Sequence, residues 1–176
     1  MKKSWIIVGV VLLLCVLGVA AWSVIHGGFL KTDEVVIAPP VDIPALQKAA
    51  DAGDGDAMDR LGLAYMKGQE VEKNEAKAVA LFRKATEQGN VDAMRNLGNA
   101  CLNGRGIGQN PDLGIEWLRT AAASGSAEAM CNLGFAYLEG DVVTKDETEG
   151  VRWLQEAARH GNDYARKKLE DRGVKW

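Results

Sequence analysis

The segment Asp56-Ala57-Met58-Asp59-Arg60-Leu61-Gly62 returns as Asp92-Ala93-Met94-Arg95-Asn96-Leu97-Gly98 and again as Glu128-Ala129-Met130-Cys131-Asn132-Leu133-Gly134, each copy 36 residues after the last. The same offset links Gly53, Gly89, Gly125 and Gly161, then Gly68, Gly104 and Gly140, and also Leu46, Phe82, Leu118 and Leu154. A fixed period of this length marks a repeat architecture, in which one supersecondary unit stacks on copies of itself.

Each unit divides into two helices. Asp54, Asn90, Ser126 and Asn162 each follow a repeat glycine, so a residue suited to a left-handed helix end precedes one whose side chain caps the next helix. The first helix of a unit, helix A, is expected over Gly55–Lys67 in the first copy, with Ala57, Leu61, Ala64 and Tyr65 on one face. It stops at Gly68, Gly104 or Gly140. A short loop follows with one apolar residue, Val71, Ile107 or Val143, before Asn74, Asn110 or Asp146 caps helix B. Pro111 falls at the first position of the middle helix B, where proline forfeits no hydrogen bond. Trp117 and Trp153 read as interior filling rather than a ligand cage. A lone hairpin of this size buries too little surface to fold, so the units must stack. Residues 44–52 match a helix B without its partner and residues 163–170 a helix A without its partner, the pattern of end caps.

The run Gly-x-x-x-Ala-Met-x-x-Leu-Gly-x-Ala-Tyr-x-x-Gly, followed by Ala-x-x-Trp-Leu-x-x-Ala-Ala-x-x-Gly, resembles the Sel-1-like repeat family, relatives of the tetratricopeptide repeats. The resemblance covers residues 44–173, with repeats at about 54–89, 90–125 and 126–161 and a partial one at 162–173. It implies an all-α fold, a right-handed α/α solenoid whose members act as adaptors and scaffolds for protein complexes. Bacterial members are often exported or membrane-attached, and some look like immunity proteins that neutralise secreted toxins. Two departures stand out. Cys101 replaces the usual tyrosine of helix A, and Gly114 and Gly150 stand where Ala78 follows the family pattern, which is expected to loosen the later repeats.

The resemblance also implies that helix A lines the concave surface. The positions left over from packing then form a groove for a protein partner: Asp59, Leu63 and Met66, then Arg95, Asn99 and Leu102, then Cys131, Phe135 and Leu138. Mixed polar and apolar character suits recognition of a peptide or helix, where a few anchors dominate affinity.

Composition supports binding over catalysis. The chain is 47% hydrophobic and 26% charged, the balance of a folded protein, with a formal charge of −3. Without Lys2 and Lys3 it holds 19 basic against 24 acidic groups, which argues against a nucleic-acid partner. Cys15, Cys101 and Cys131 lack metal-ligand spacing, and the only histidines are His26 and His160, so neither metal nor cofactor is expected. Gly104-x-Gly106-x-Gly108 follows a helix rather than a strand and has no closing Lys-Ser, so it reads as an inter-helix loop rather than a phosphate cradle. Asp51, Asp54, Asp56 and Asp59 lack the distal glutamate of a calcium loop, and His160 has no nucleophile beside it in sequence. Repeat register offsets Cys101 from Cys131 by roughly 9 Å along adjacent helices about 10 Å apart, beyond disulfide reach. Two free thiols are expected, with Cys101 largely buried.

Residues 5–25 run without a charge, enough for roughly 31 Å of helix, about the thickness of a bilayer's apolar core. Lys2 and Lys3 precede this run and Lys31 is the first basic residue after it. The expected arrangement is a single-pass inner-membrane anchor over residues 1–26, with a cytoplasmic N-terminus and a periplasmic repeat domain. A cleaved signal peptide ending near Val19-Ala20-Ala21 would instead release the domain to the periplasm or outside. Residues 27–43, with Gly27-Gly28 and Ala38-Pro39-Pro40, read as an extended tether.

Overall fold

The computed structural model describes residues 41–176. The apolar segment read as a membrane anchor and nearly all of the tether lie outside these residues. Among the described residues no helix is long and apolar enough to cross a membrane. They form eight α-helices and no strand: α1 (Ile43–Asp51), α2 (Gly55–Lys67), α3 (Glu75–Glu87), α4 (Val91–Asn103), α5 (Pro111–Ala123), α6 (Ala127–Glu139), α7 (Glu147–Arg159) and α8 (Asp163–Asp171). Helices α2, α4 and α6 are the A helices of three hairpins, and α3, α5 and α7 their B helices. Single helices pack on either side, α1 on α2 and α8 on α7.

Local chemistry sets every boundary in the same way. Asp54 Oδ1 accepts from the backbone N–H groups of Asp56 (2.9 Å) and Ala57 (3.1 Å), satisfying donors that a helix start leaves unpaired. Asn90, Ser126 and Asn162 repeat the cap on Ala93, Ala129 and Ala165. Each A helix ends on a left-handed glycine, and the chain then returns. The backbone N–H groups of Asn74, Asn110 and Asp146 each donate at 2.9 Å to the carbonyls of Tyr65, Cys101 and Tyr137. The same three residues cap the B helices through their side chains.

Each hairpin packs on its sequence neighbours, so the array is an α-solenoid. The interior divides into three clusters along its length. One gathers Leu46, Met58 and Leu61, the next Phe82, Leu97 and Cys101, and the third Leu118, Leu133, Leu154 and Leu169. The last break falls within α4, whose Cys101 serves the second cluster and whose Leu102 serves the third. An internal A helix has neighbours on several sides and buries different residues against each.

Gly114 and Gly150 tighten the later hairpins rather than loosen them. A Cβ on Gly98 would lie 3.0 Å from the Gly114 carbonyl oxygen, whereas a Cβ on Gly62 would lie 3.3 Å from that of Ala78. The space that a methyl group would take at Gly114 is filled by Leu102, whose Cγ is 2.7 Å from the position of an added Cβ; Leu138 does the same at Gly150. The glycines therefore let two backbones meet. Gly106 serves a similar end between units. Its φ is +71°, and an added Cβ would run into the Glu75 carbonyl, so the α4–α5 loop lies directly on the start of α3.

Gly114→Ala tests this packing. Helix propensity alone favours alanine by about 1 kcal/mol, but forcing a methyl against Leu102 costs roughly 1–3 kcal/mol. The expected outcome is a lower midpoint in urea unfolding. Gly108→Ala, where an added Cβ meets nothing within 4 Å, should leave the midpoint nearly unchanged.

Candidate functional site

Two of the A helices, α4 and α6, pack together directly, with no comparable pairing among α3, α5 and α7. The A helices form the layer that the resemblance makes the concave one, the inner layer. Polar rungs join them. Asn96 Nδ2 on α4 donates to Asp59 Oδ1 on α2 at 2.7 Å, and Asn132 Nδ2 on α6 donates to Asn99 Oδ1 on α4 at 3.0 Å. Asn90 likewise donates to Asp56. At the other end the rung is aromatic: the rings of Phe135 on α6 and Tyr164 on α8 are 5.5 Å apart and tilted by 41°. The inner layer thus runs from acidic and amide groups to an aromatic pair.

The nine expected groove positions separate into two groups. Leu63, Arg95, Asn99 and Phe135 are half-buried on the inner layer and remain reachable. Asp59, Met66, Leu102, Cys131 and Leu138 are buried and closed to a partner, which corrects the expectation for those five. Leu102 and Leu138 fill the space beside Gly114 and Gly150, Met66 belongs to the cluster around Phe82, and Asp59 lies under Asn96. Two contributors went unread in the sequence. Asn132 is the amide that joins α4 to α6, and Tyr164 is 58% exposed. Asn96 and Asn132 share a register position, a signal for such a rung, and Tyr164 is an aromatic where Asp56, Asp92 and Glu128 are acidic.

Burial governs the titratable groups here. Cys131 and Cys101 are both free and buried; the Cys131 thiol is pushed up to about 11, and that of Cys101 is also raised, burial being the main cause in each. Neither is a ready nucleophile. The Asp59 carboxyl is raised by burial, against the opposing hydrogen bond from Asn96. Beside it, Arg95 holds Asp92 at 3.3 Å through Nη2, while its buried Nε has no partner among the described residues. Among the described residues no group of three or more His, Cys, Asp or Glu side chains could hold a metal ion.

A carboxyl whose folded-state value lies above its unfolded one weakens the fold while ionised, a penalty present at pH above the raised value and lost as pH falls toward the ordinary 3.8. Asp59→Asn keeps an acceptor for Asn96 and removes the charge. It should raise the melting temperature at pH 7, and the gain should shrink as the pH is lowered toward 4. A variant that melts lower than the parent at pH 7 would show that the charge stabilises.

Comparison with known proteins agrees with this geometry. The Sel1 repeat matches at residues 46–54, 55–90, 91–126 and 127–162. Among solved structures, a Sel1 repeat protein from Oxalobacter formigenes is 35% identical with a TM-score of 0.60, over 74% of this chain and 98% of that one. A protective antigen of uropathogenic Escherichia coli with an SLR fold is 35% identical with a TM-score of 0.66; the match covers 74% of this chain but only 28% of the antigen. The cysteine rich protein B of Helicobacter pylori shares the fold at 21% identity and a TM-score of 0.57, over 73% of this chain and 98% of that one. No match is found among curated proteins. With the repeat pattern spanning three consecutive hairpins and the helix before them, the chain belongs to the Sel1 repeat family.

Proposed function

We propose that this protein is a non-enzymatic adaptor that holds one protein partner along the inner face of its A helices, and that its N-terminal segment tethers it to the inner membrane with the repeats in the periplasm. The observation that carries the binding reading is the Phe135 and Tyr164 pair, two tilted aromatic rings on the inner layer beside Asn132 and Asn99. Aromatic rings bury a large apolar area at little entropic cost, and such residues dominate protein interfaces. Arg95 and the amides of Asn99 and Asn132 supply the directional contacts around them. The acidic balance of the chain favours a protein partner over nucleic acid.

The tether reading rests on the sequence of residues 1–40: two lysines, then 21 uncharged and mostly apolar residues, then a Pro- and Gly-containing stretch before the first described helix. Right-handed winding of the array goes with this reading as a property of the family's fold.

Two experiments test the two halves. In crosslinked affinity capture with the full chain, a Phe135→Ala, Tyr164→Ala double variant should weaken the principal partner by about 2 kcal/mol or more, the size of an interface anchor, while retaining its helical circular dichroism. Equal recovery of every partner removes the inner-face assignment. Alkaline phosphatase fused after Val36 should be active in cells if the repeats are exported; an inactive fusion places them in the cytoplasm.

A further inference from the structure

The polar rungs of the inner layer differ in what they leave over. The rung from Asn96 to Asp59 is closed, since both side chains are buried. The rung from Asn132 to Asn99 is open. Asn132 Nδ2 donates to Asn99 Oδ1 at 3.0 Å, while the other halves of the two amides, Asn99 Nδ2 and Asn132 Oδ1, have no partner among the described residues and are not buried. Reversing both amides gives the same result, one spare donor beside one spare acceptor. One residue of an extended chain offers the complement, an N–H and a C=O directed to the same side. A helical segment has no such pair to give, because its backbone groups bond to one another.

The groups around this rung extend the match. Phe135 lies one turn of α6 beyond Asn132, and its ring is 5.5 Å from that of the exposed Tyr164. Lys168 occupies on α8 the register position of Asn96 and Asn132, and its Nζ is 5.5 Å from the centre of the Tyr164 ring. It is half-buried, and among the described residues no carboxylate lies within 4.0 Å of it. A cation partly shielded from water and without a counter-ion favours an incoming carboxylate.

We propose that the inner face from α4 to α8 takes an extended segment of a partner polypeptide in which an apolar residue stands next to an aspartate or glutamate. A backbone N–H and C=O of that segment bond to the Asn99 and Asn132 amides, the apolar side chain lies against Phe135 and Tyr164, and the carboxylate meets Lys168. This assignment rests on the adaptor reading and narrows it, since the surface then reads strand-like or unfolded chain rather than a helix.

A random heptapeptide library displayed on phage supplies the probe. Selection against the full chain in detergent should enrich an acidic residue beside an aliphatic or aromatic one, and a synthetic peptide of the enriched sequence should lose binding to the Phe135→Ala, Tyr164→Ala variant. N-methylation of that peptide, one residue at a time, leaves the protein untouched. At one position it should weaken binding about tenfold, the worth of a lost backbone hydrogen bond, and an Asn99→Ala, Asn132→Ala variant should erase the difference. Lys168→Met should weaken the parent peptide about threefold and leave a peptide with the acid replaced by its amide unaffected. Peptides that need the two rings but tolerate every N-methyl group, or that bind as helices by circular dichroism, would overturn the extended-segment assignment and leave the inner face as the binding surface. Equal binding to the parent chain and Lys168→Met would overturn the carboxylate contact. No enrichment, or peptides indifferent to the loss of both rings, would remove the inner-face reading as well.

Discussion

The closeness with which each A helix lies on its own B helix is the constraint from which the rest of the array follows. Gly98 against Gly114 and Gly134 against Gly150 leave backbones separated by little more than van der Waals contact, and a leucine from the partner helix fills the remaining space on each side. This is a steric arrangement with one solution. A side chain on either glycine would push the helices apart, and the displacement would pass to the next hairpin because each unit packs only on its neighbours. The curvature of the inner layer, and with it the spacing of the groups it displays, depends on these contacts.

Within that frame the hydrogen bonds specify register more than they add stability. A cap such as Asp54 or Asn110 contributes on the order of 1 kcal/mol, but its greater effect is to fix where each helix begins. The bonds from Asn74, Asn110 and Asp146 to the carbonyls of Tyr65, Cys101 and Tyr137 set the return of each chain at one geometry. Identical turns give identical hairpins, and identical hairpins stack without accumulating error. The buried rung between Asn96 and Asp59 acts between units in the same way, since a slipped neighbour would strand both polar groups.

Features governed by local chemistry were legible in the sequence. Caps, glycine stops and the span Gly55–Lys67 follow from residues a few positions apart, and the structure repeats them without exception in all three hairpins. The inner surface was less legible. Asp59, Arg95 and Cys131 share one register position that the resemblance left over from packing and so assigned to the groove, yet Asp59 and Cys131 are buried and Arg95 half-buried. Single-helix amphipathicity assumes one buried face, whereas an A helix inside a solenoid is covered by its own B helix, by the preceding one and by adjacent A helices. Met66, Leu102 and Leu138 carried the opposite signal, since three large apolar side chains at one position mark interior. Gly114 and Gly150 misled for a related reason: glycine weakens an isolated helix, but between two helices it permits contact.

Repeat proteins separate architecture from chemistry by position, and here the separation falls along the register. Positions with the same small or apolar residue in every unit, such as Ala57, Ala93 and Ala129 or Leu61, Leu97 and Leu133, make the packing. Positions where the units differ determine what each stretch of surface presents. Tyrosine, cysteine and tyrosine at 65, 101 and 137 accompany lysine, leucine and glutamate at 77, 113 and 149. Where the helix carries a phenol, a polar or charged side chain stands at the facing position; where it carries a thiol, that position is a leucine. The two changes agree physically. A lysine or glutamate packed on a buried thiol would lose water without gaining a partner, whereas Leu113 and Trp117 pack on the cluster that holds Cys101 and Leu97. One unit of the array has thus exchanged a phenol and its polar partner for a thiol packed among apolar side chains, while its turns keep the same hydrogen bonds as the others.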